Sequence, residues 1–73
     1  MVKTLILLIL LFDGTLVKKE IKFSPSVSLK ECYTQARAHR DSIAKYIGPE
    51  IKGSNQGWYL LDNTGTYHGF ICE

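Results

Sequence analysis

Cys32, Cys72, His39 and His68 are the residues whose types suggest covalent or metal chemistry, and their spacing limits what they can do. A Cys32–Cys72 bridge would close a loop of about 40 residues and add roughly 4 kcal/mol in the chain-entropy model. The same two residues could equally be buried free thiols packed as small hydrophobes in a reducing compartment. Both readings stay open at this stage. Together the four side chains have the donor types of a zinc set, but the geometry is poor. Cys32 and His39 would stand about 10 Å apart along a helix. His68 and Cys72 would stand about 13 Å apart along a strand. We expect neither a metal nor a cofactor. Cys32 with either histidine is a conceivable nucleophile and base. The helix N-terminus favours its thiolate, whereas an apolar helix stripe makes it inert. With no third orienting group and little room for a substrate pocket, the chain reads as a non-enzyme.

The elements that must position these residues begin with an apolar run, Met1 to Phe12, that leads straight into Asp13-Gly14. It is too short for a membrane-spanning helix, which needs about 20 apolar residues. It also lacks the small-x-small site of a cleavable export signal, which slightly favours a cytoplasmic setting. Asp-Gly between apolar and alternating stretches predicts a hairpin with a two-residue type I′ turn. That turn pairs Leu10 with Val17, Leu8 with Lys19 and Ile6 with Ile21 on one face. On the other it pairs Leu11 with Leu16, Ile9 with Lys18, Leu7 with Glu20 and Leu5 with Lys22. The second strand alternates, while the first is apolar on both faces, as strands covered twice are.

Ser24-Pro25-Ser26 should end that strand. Ser28 and Glu31 form a capping box, so a helix starts at Ser28 and runs to about Ile47, where Gly48 and Pro49 stop it. Its apolar stripe is Leu29, Cys32, Tyr33, Ala36, Ile43 and Ile47. Residues 50–57 read as a loop. Trp58–Asp62 and Tyr67–Cys72 read as a second hairpin about a turn at 63–66, with Gly69 at a bulge or close packing point. The expected fold is therefore α+β, a single domain over residues 1–73. It is a small antiparallel ββαββ sheet of two hairpins with one helix across one face.

The chain has 73 residues, 45% of them apolar, and a net charge of +2. Disorder is excluded by that apolar fraction, and the charge is too small to point to nucleic acid unaided. One helix covers one sheet face, so the expected pairing leaves Leu5, Leu7, Ile9 and Leu11 uncovered. Such a patch marks a partner surface, and a second copy around a two-fold axis is the simplest occupant. The favoured function is a small protein-interaction or accessory module, a homo-oligomer or the partner of another protein, with no small-molecule substrate. A weak single-stranded nucleic-acid binder using Arg37, Arg40 and Lys45 beside the hairpin aromatics is the rival. A disulfide-stapled secreted or virion-surface domain is a third reading.

An apolar strand Thr4–Phe12, the Asp13-Gly14 turn, Cys32 in SLKEC and Cys72 in FICE resemble small uncharacterised open reading frames of bacteria and their phages. The likeness spans most of the chain. It implies a compact accessory protein and assigns no site residue.

Overall fold

A computed structural model describes residues 1–48 and 56–73. The elements run β1 (Val2–Leu11), β2 (Leu16–Val27), α1 (Leu29–Ile43), β3 (Ala44–Ile47), β4 (Gly57–Leu60) and β5 (Gly65–Cys72). All five strands join one antiparallel sheet in the order β2-β1-β5-β4-β3, and α1 lies across one face of it. The α+β class thus holds, with one strand more than the expected ββαββ outline. Most of the loop expected at 50–57, and Pro49 as a helix stop, lie outside the described residues.

The first hairpin departs from the expected turn. Gly14 has φ +92°, but Asp13 is not in the left-handed region, so a type I′ turn does not form. The Gly14 N–H donates to the Leu11 carbonyl at 3.0 Å, and the Leu11 N–H donates to the Thr15 carbonyl at 2.9 Å. This is a three-residue connection, Phe12 to Gly14, closed by a glycine in a left-handed conformation. Register moves by one residue as a result: Leu10 pairs with Leu16, Ile9 with Val17, Leu8 with Lys18, Leu7 with Lys19 and Leu5 with Ile21. A one-residue slip sends a strand's side chains to the opposite face. The alternating β2 still sends Val17, Ile21 and Phe23 toward the helix, so their new partners on β1 go with them.

Asp13 secures this turn by accepting the Thr15 backbone N–H at 2.8 Å. That bond, with the Thr15 side chain second, holds the Asp13 carboxyl below the ordinary value of 3.8. An ionised form favoured by folding contributes fully above the ordinary value and is lost as pH falls through the lowered one. Protection of the Thr15 amide from exchange should therefore be flat from neutral pH down to about pH 4, falling only below it. Asp13→Asn should abolish that acid step. A wild-type step near neutrality would refute the assignment.

Strand β2 continues to Val27 through Pro25, where the sequence suggested an end. It lies at the sheet edge, where a missing N–H is tolerated, and its register to β1 is irregular there, between Val2 and Thr4. Helix α1 begins as expected, with Ser28 Oγ accepting the Glu31 N–H at 3.1 Å. It ends earlier than expected, at Ile43. Ala44 is already extended, and Ala44–Ile47 pair with β4, Tyr46 opposite Trp58. Tyr and Ile favour strands, and the open edge of β4 offers backbone partners that another helical turn could not. Gly69, at φ +145°, sits in the expected bulge: Leu8 pairs with Gly69 and Ile9 with Tyr67, leaving His68 as the extra residue.

Between sheet and helix the core comprises Val2, Leu5, Leu7, Ile9, Cys32, Ala36, Ala44, Leu60 and Tyr67. The helix is held close by the small residues Cys32 and Ala36, both fully buried, whereas Leu29 and Tyr33 of the expected stripe are exposed. Tyr33 instead meets Phe70 edge-on, with ring centroids 5.4 Å apart.

Candidate functional site

The interface expected at Leu5, Leu7, Ile9 and Leu11 is not at the surface. Leu5 and Leu7 are 0% exposed and Ile9 is 7%, packed in the core that includes Cys32 and Ala36, and Leu11 packs against that core. The one-residue register shift that follows from the longer, three-residue connection of the first hairpin is the cause.

The opposite sheet face carries the alternate residues. Thr4, Ile6, Leu8 and Leu10 of β1 run down its middle. Leu16, Lys18, Glu20 and Lys22 of β2 pair with them on one side. Ile71 and Thr66 of β5 flank Ile6 and Leu10 on the other. Beyond Thr66 the row continues to Tyr59 of β4 and Lys45 of β3. Phe12 extends the same face, its ring 6.4 Å from that of Tyr59. No described element crosses this face. Ile6 is shielded by its neighbours at 9% exposure, while Leu10, Leu16, Phe12 and Ile71 range from 38% to 63%. A run of exposed large apolar side chains on one face is the kind of surface that binds something.

A depression of about 430 Å³ lies between the start of β4 and the His68 bulge of β5, lined by residues of both sheet faces, Leu10, Tyr59, Thr66 and His68 on the open side and Trp58 and Tyr67 on the helix side. Thr66 Oγ1 and His68 Nε2 lie 2.8 Å apart there.

Cys32 and Cys72 form a disulfide, with Cα atoms 6.3 Å apart. Of the two open readings of this pair, the bridged one is realised. It ties the first turn of α1 to the end of the central strand β5, and both sulfurs are thereby withdrawn from metal ligation and nucleophilic attack. The chain beyond is fixed too, since the Glu73 carbonyl accepts the Lys3 and Thr4 N–H groups at 3.0 and 2.8 Å. Among the described residues, no three His, Cys, Asp or Glu side chains are placed to hold a metal ion.

Arg37, Arg40 and Lys45 do not form one basic surface. Arg37 is exposed on α1. Arg40 stacks over Trp58 at 4.1 Å from the ring centroid, and its Nε lies 3.1 Å from Asp41 Oδ1. Trp58 also meets Tyr46, with centroids 5.6 Å apart. Nearby, burial pushes the Tyr67 hydroxyl above its ordinary value, and Arg40 opposes that only in part. Lys45 pairs with Tyr59 and so faces the other way. The stacked arginine secures the helix C-terminus to the sheet.

The open-face residues Ile6, Leu8 and Leu10 were missed from sequence because a two-residue turn places them against the helix, and Ile71 because nothing in the sequence sets β5 beside β1. The signal was the alternation of β2: with a three-residue connection, its apolar set selects the odd-numbered residues of β1 for the core. Among the described residues, no helix is long and apolar enough to cross a membrane. No family model, curated protein or solved structure matches this chain.

Proposed function

We propose that this protein is a small non-enzymatic interaction module that docks another protein chain on the open face of its sheet. The observation that carries the reading is the apolar row Leu8, Leu10 and Ile71 around Ile6, on the face away from α1. It replaces the buried Leu5–Leu11 set as the contact surface and keeps self-association among the ways it could be used. The Cys32–Cys72 bridge supports a setting that is oxidising, where small domains rely on such staples.

The test is solution mass by light scattering over a range of concentrations, together with recovery of bound proteins by the wild type and by Leu10→Lys/Ile71→Lys. Both side chains are already exposed, so the double variant should fold with a thermal midpoint within a few degrees of wild type. Self-assembly or captured partners should be lost in it. A wild type that remains monomeric and recovers nothing beyond what the double variant recovers would dismiss the open face as a docking surface.

A further inference from the structure

Strand β2 stands at one edge of the sheet, and no described element lies beyond it. The hydrogen bonding fixes which of its backbone groups are vacant. The Leu11 N–H donates to the Thr15 carbonyl, so the odd-numbered residues of β1 bond toward β2. The Thr4 and Phe12 N–H groups donate to the Glu73 and Thr64 carbonyls, so the even-numbered ones bond toward β5. Bonded and non-bonded pairs alternate along an antiparallel ladder. Val17, Lys19 and Ile21, which pair with Ile9, Leu7 and Leu5, therefore turn their amides and carbonyls to β1. Leu16, Lys18, Glu20 and Lys22 direct theirs outward, along about 20 Å of regular strand. Natural sheets blunt such edges by keeping them short, or with a bulge or a proline. The opposite edge, β3, has only four residues. On β2 the irregular register and Pro25 come after Lys22, so Leu16–Lys22 is left open.

We infer that this edge takes an extended segment of a partner protein as a sixth strand, with acidic residues opposite Lys18 and Lys22. The site is separate from the open face, because its vacant groups are backbone N–H and C=O at strand spacing, which another strand matches along its length. Charge decides whose strand it is. The stretch carries Lys18, Lys19 and Lys22 against Glu20, all exposed. Glu73 bonds to Thr4 from the β5 side of β1. It lies about 14 Å from an added strand, outside the roughly 8 Å reach of exposed charges at physiological salt. A second copy would bring the same lysine excess. Paired antiparallel about Lys19, it answers Lys18 with Glu20 but sets Lys19 against Lys19 and Lys22 against Leu16. A Glu or Asp opposite Lys18 and Lys22 instead forms a favourable cross-strand pair at each. Val17 and Ile21, half-buried on the helix side, favour β-branched residues at the alternate positions.

The probe is a labelled, end-blocked peptide of about seven residues, with Glu at its first and fifth positions and Val and Thr elsewhere, long enough to span the open stretch. Binding is followed by fluorescence anisotropy and by amide exchange of the folded, oxidised protein. The amides of Lys18, Glu20 and Lys22 should exchange freely without peptide and become protected with it, whereas those of Lys19 and Ile21 are protected throughout. N-methylation of the third and fifth peptide residues, whose amides face β2, should abolish binding, and N-methylation of the second and fourth should leave it intact. Replacing both Glu by Lys should weaken binding about tenfold at low salt, with the difference lost at high salt. Glu20→Pro removes an outward N–H that β1 does not use, a change an edge strand tolerates, and should weaken binding about tenfold. Leu10→Lys/Ile71→Lys should bind the peptide as the wild type does. If Glu20→Pro fails to fold, the two N-methylated peptides decide alone. No binding, equal tolerance of both methylation patterns, or shifts confined to Leu8, Leu10 and Ile71 would overturn strand addition. Equal binding of the Lys peptide would overturn the acidic partner. A wild-type dimer that Glu20→Pro dissolves would overturn it in favour of a second copy.

Discussion

Reducing the Cys32–Cys72 disulfide should lower unfolding stability by about 4 kcal/mol. The two residues are 40 apart in sequence, and a closed loop of that length removes about that much chain entropy from the unfolded state. A domain of this size has roughly 4–11 kcal/mol of stability in all. The bridge is therefore a large fraction of what holds the molecule together. Its position adds to the effect. Cys32 is one of two fully buried helix residues against the sheet, and Cys72 pairs with Leu5 at the centre of the core. Urea titrations with and without a phosphine reductant, and of Cys32→Ser/Cys72→Ser, should move the midpoint together and by a similar amount. A change below about 1 kcal/mol in both would mean that the unfolded chain is already compact enough to make the staple redundant.

Leu7→Lys should leave the protein largely unfolded, whereas Leu8→Lys should cost no more than about 1 kcal/mol. Leu7 is fully buried in the core. Removing a buried leucine costs roughly 2–5 kcal/mol, and placing an ammonium there without a partner adds a desolvation penalty. Leu8, one residue on, points to the open face and pairs with Lys18. Its replacement loses some apolar contact and places two cations side by side near solvent, a small effect. Circular dichroism and urea unfolding of the two variants decide between the registers. A folded Leu7→Lys beside an unfolded Leu8→Lys would restore the two-residue turn and reverse every assignment of face made from it.

Much of the architecture was legible because local chemistry and the tertiary fold agree. Ser28 and Glu31 announce the helix start, Gly69 the bulge, and the alternation of β2 its half-buried face. The misreadings arose where two local solutions are close in energy. Asp-Gly serves a type I′ turn or a type I turn completed by a left-handed glycine, and the two differ by one residue of register. Because β1 is apolar on both faces, no residue of that strand protests the slip. Gly48-Pro49 reads as a strong helix stop and so carries the expected helix to residue 47, yet residues 44–47 form a strand. The strand follows from the vacant edge of β4, which is a tertiary fact. The pairing of Cys32 with Cys72 could be raised from sequence and not decided, since it depends on β5 taking the sheet centre. The stacking of Arg40 on Trp58 gave no signal at all, because the charge pattern of the helix reads as a solvated face.

The strand order has a consequence for how the chain reaches its native state. Strand β1 is made first and β5 last, yet they are neighbours at the middle of the sheet, with Leu5 opposite Cys72 and Leu11 opposite Gly65. Contacts this distant in sequence are slow to form, since a large loop must close before they return any free energy. During synthesis the β1–β2 hairpin can assemble early, but one edge of β1, with apolar side chains on both faces, stays vacant until β5 emerges. That interval is when the chain is most prone to stick to others like it. The excess of lysine over glutamate on β2, Lys18, Lys19 and Lys22 against Glu20, gives each such hairpin a net positive charge, and like charges oppose its association with another.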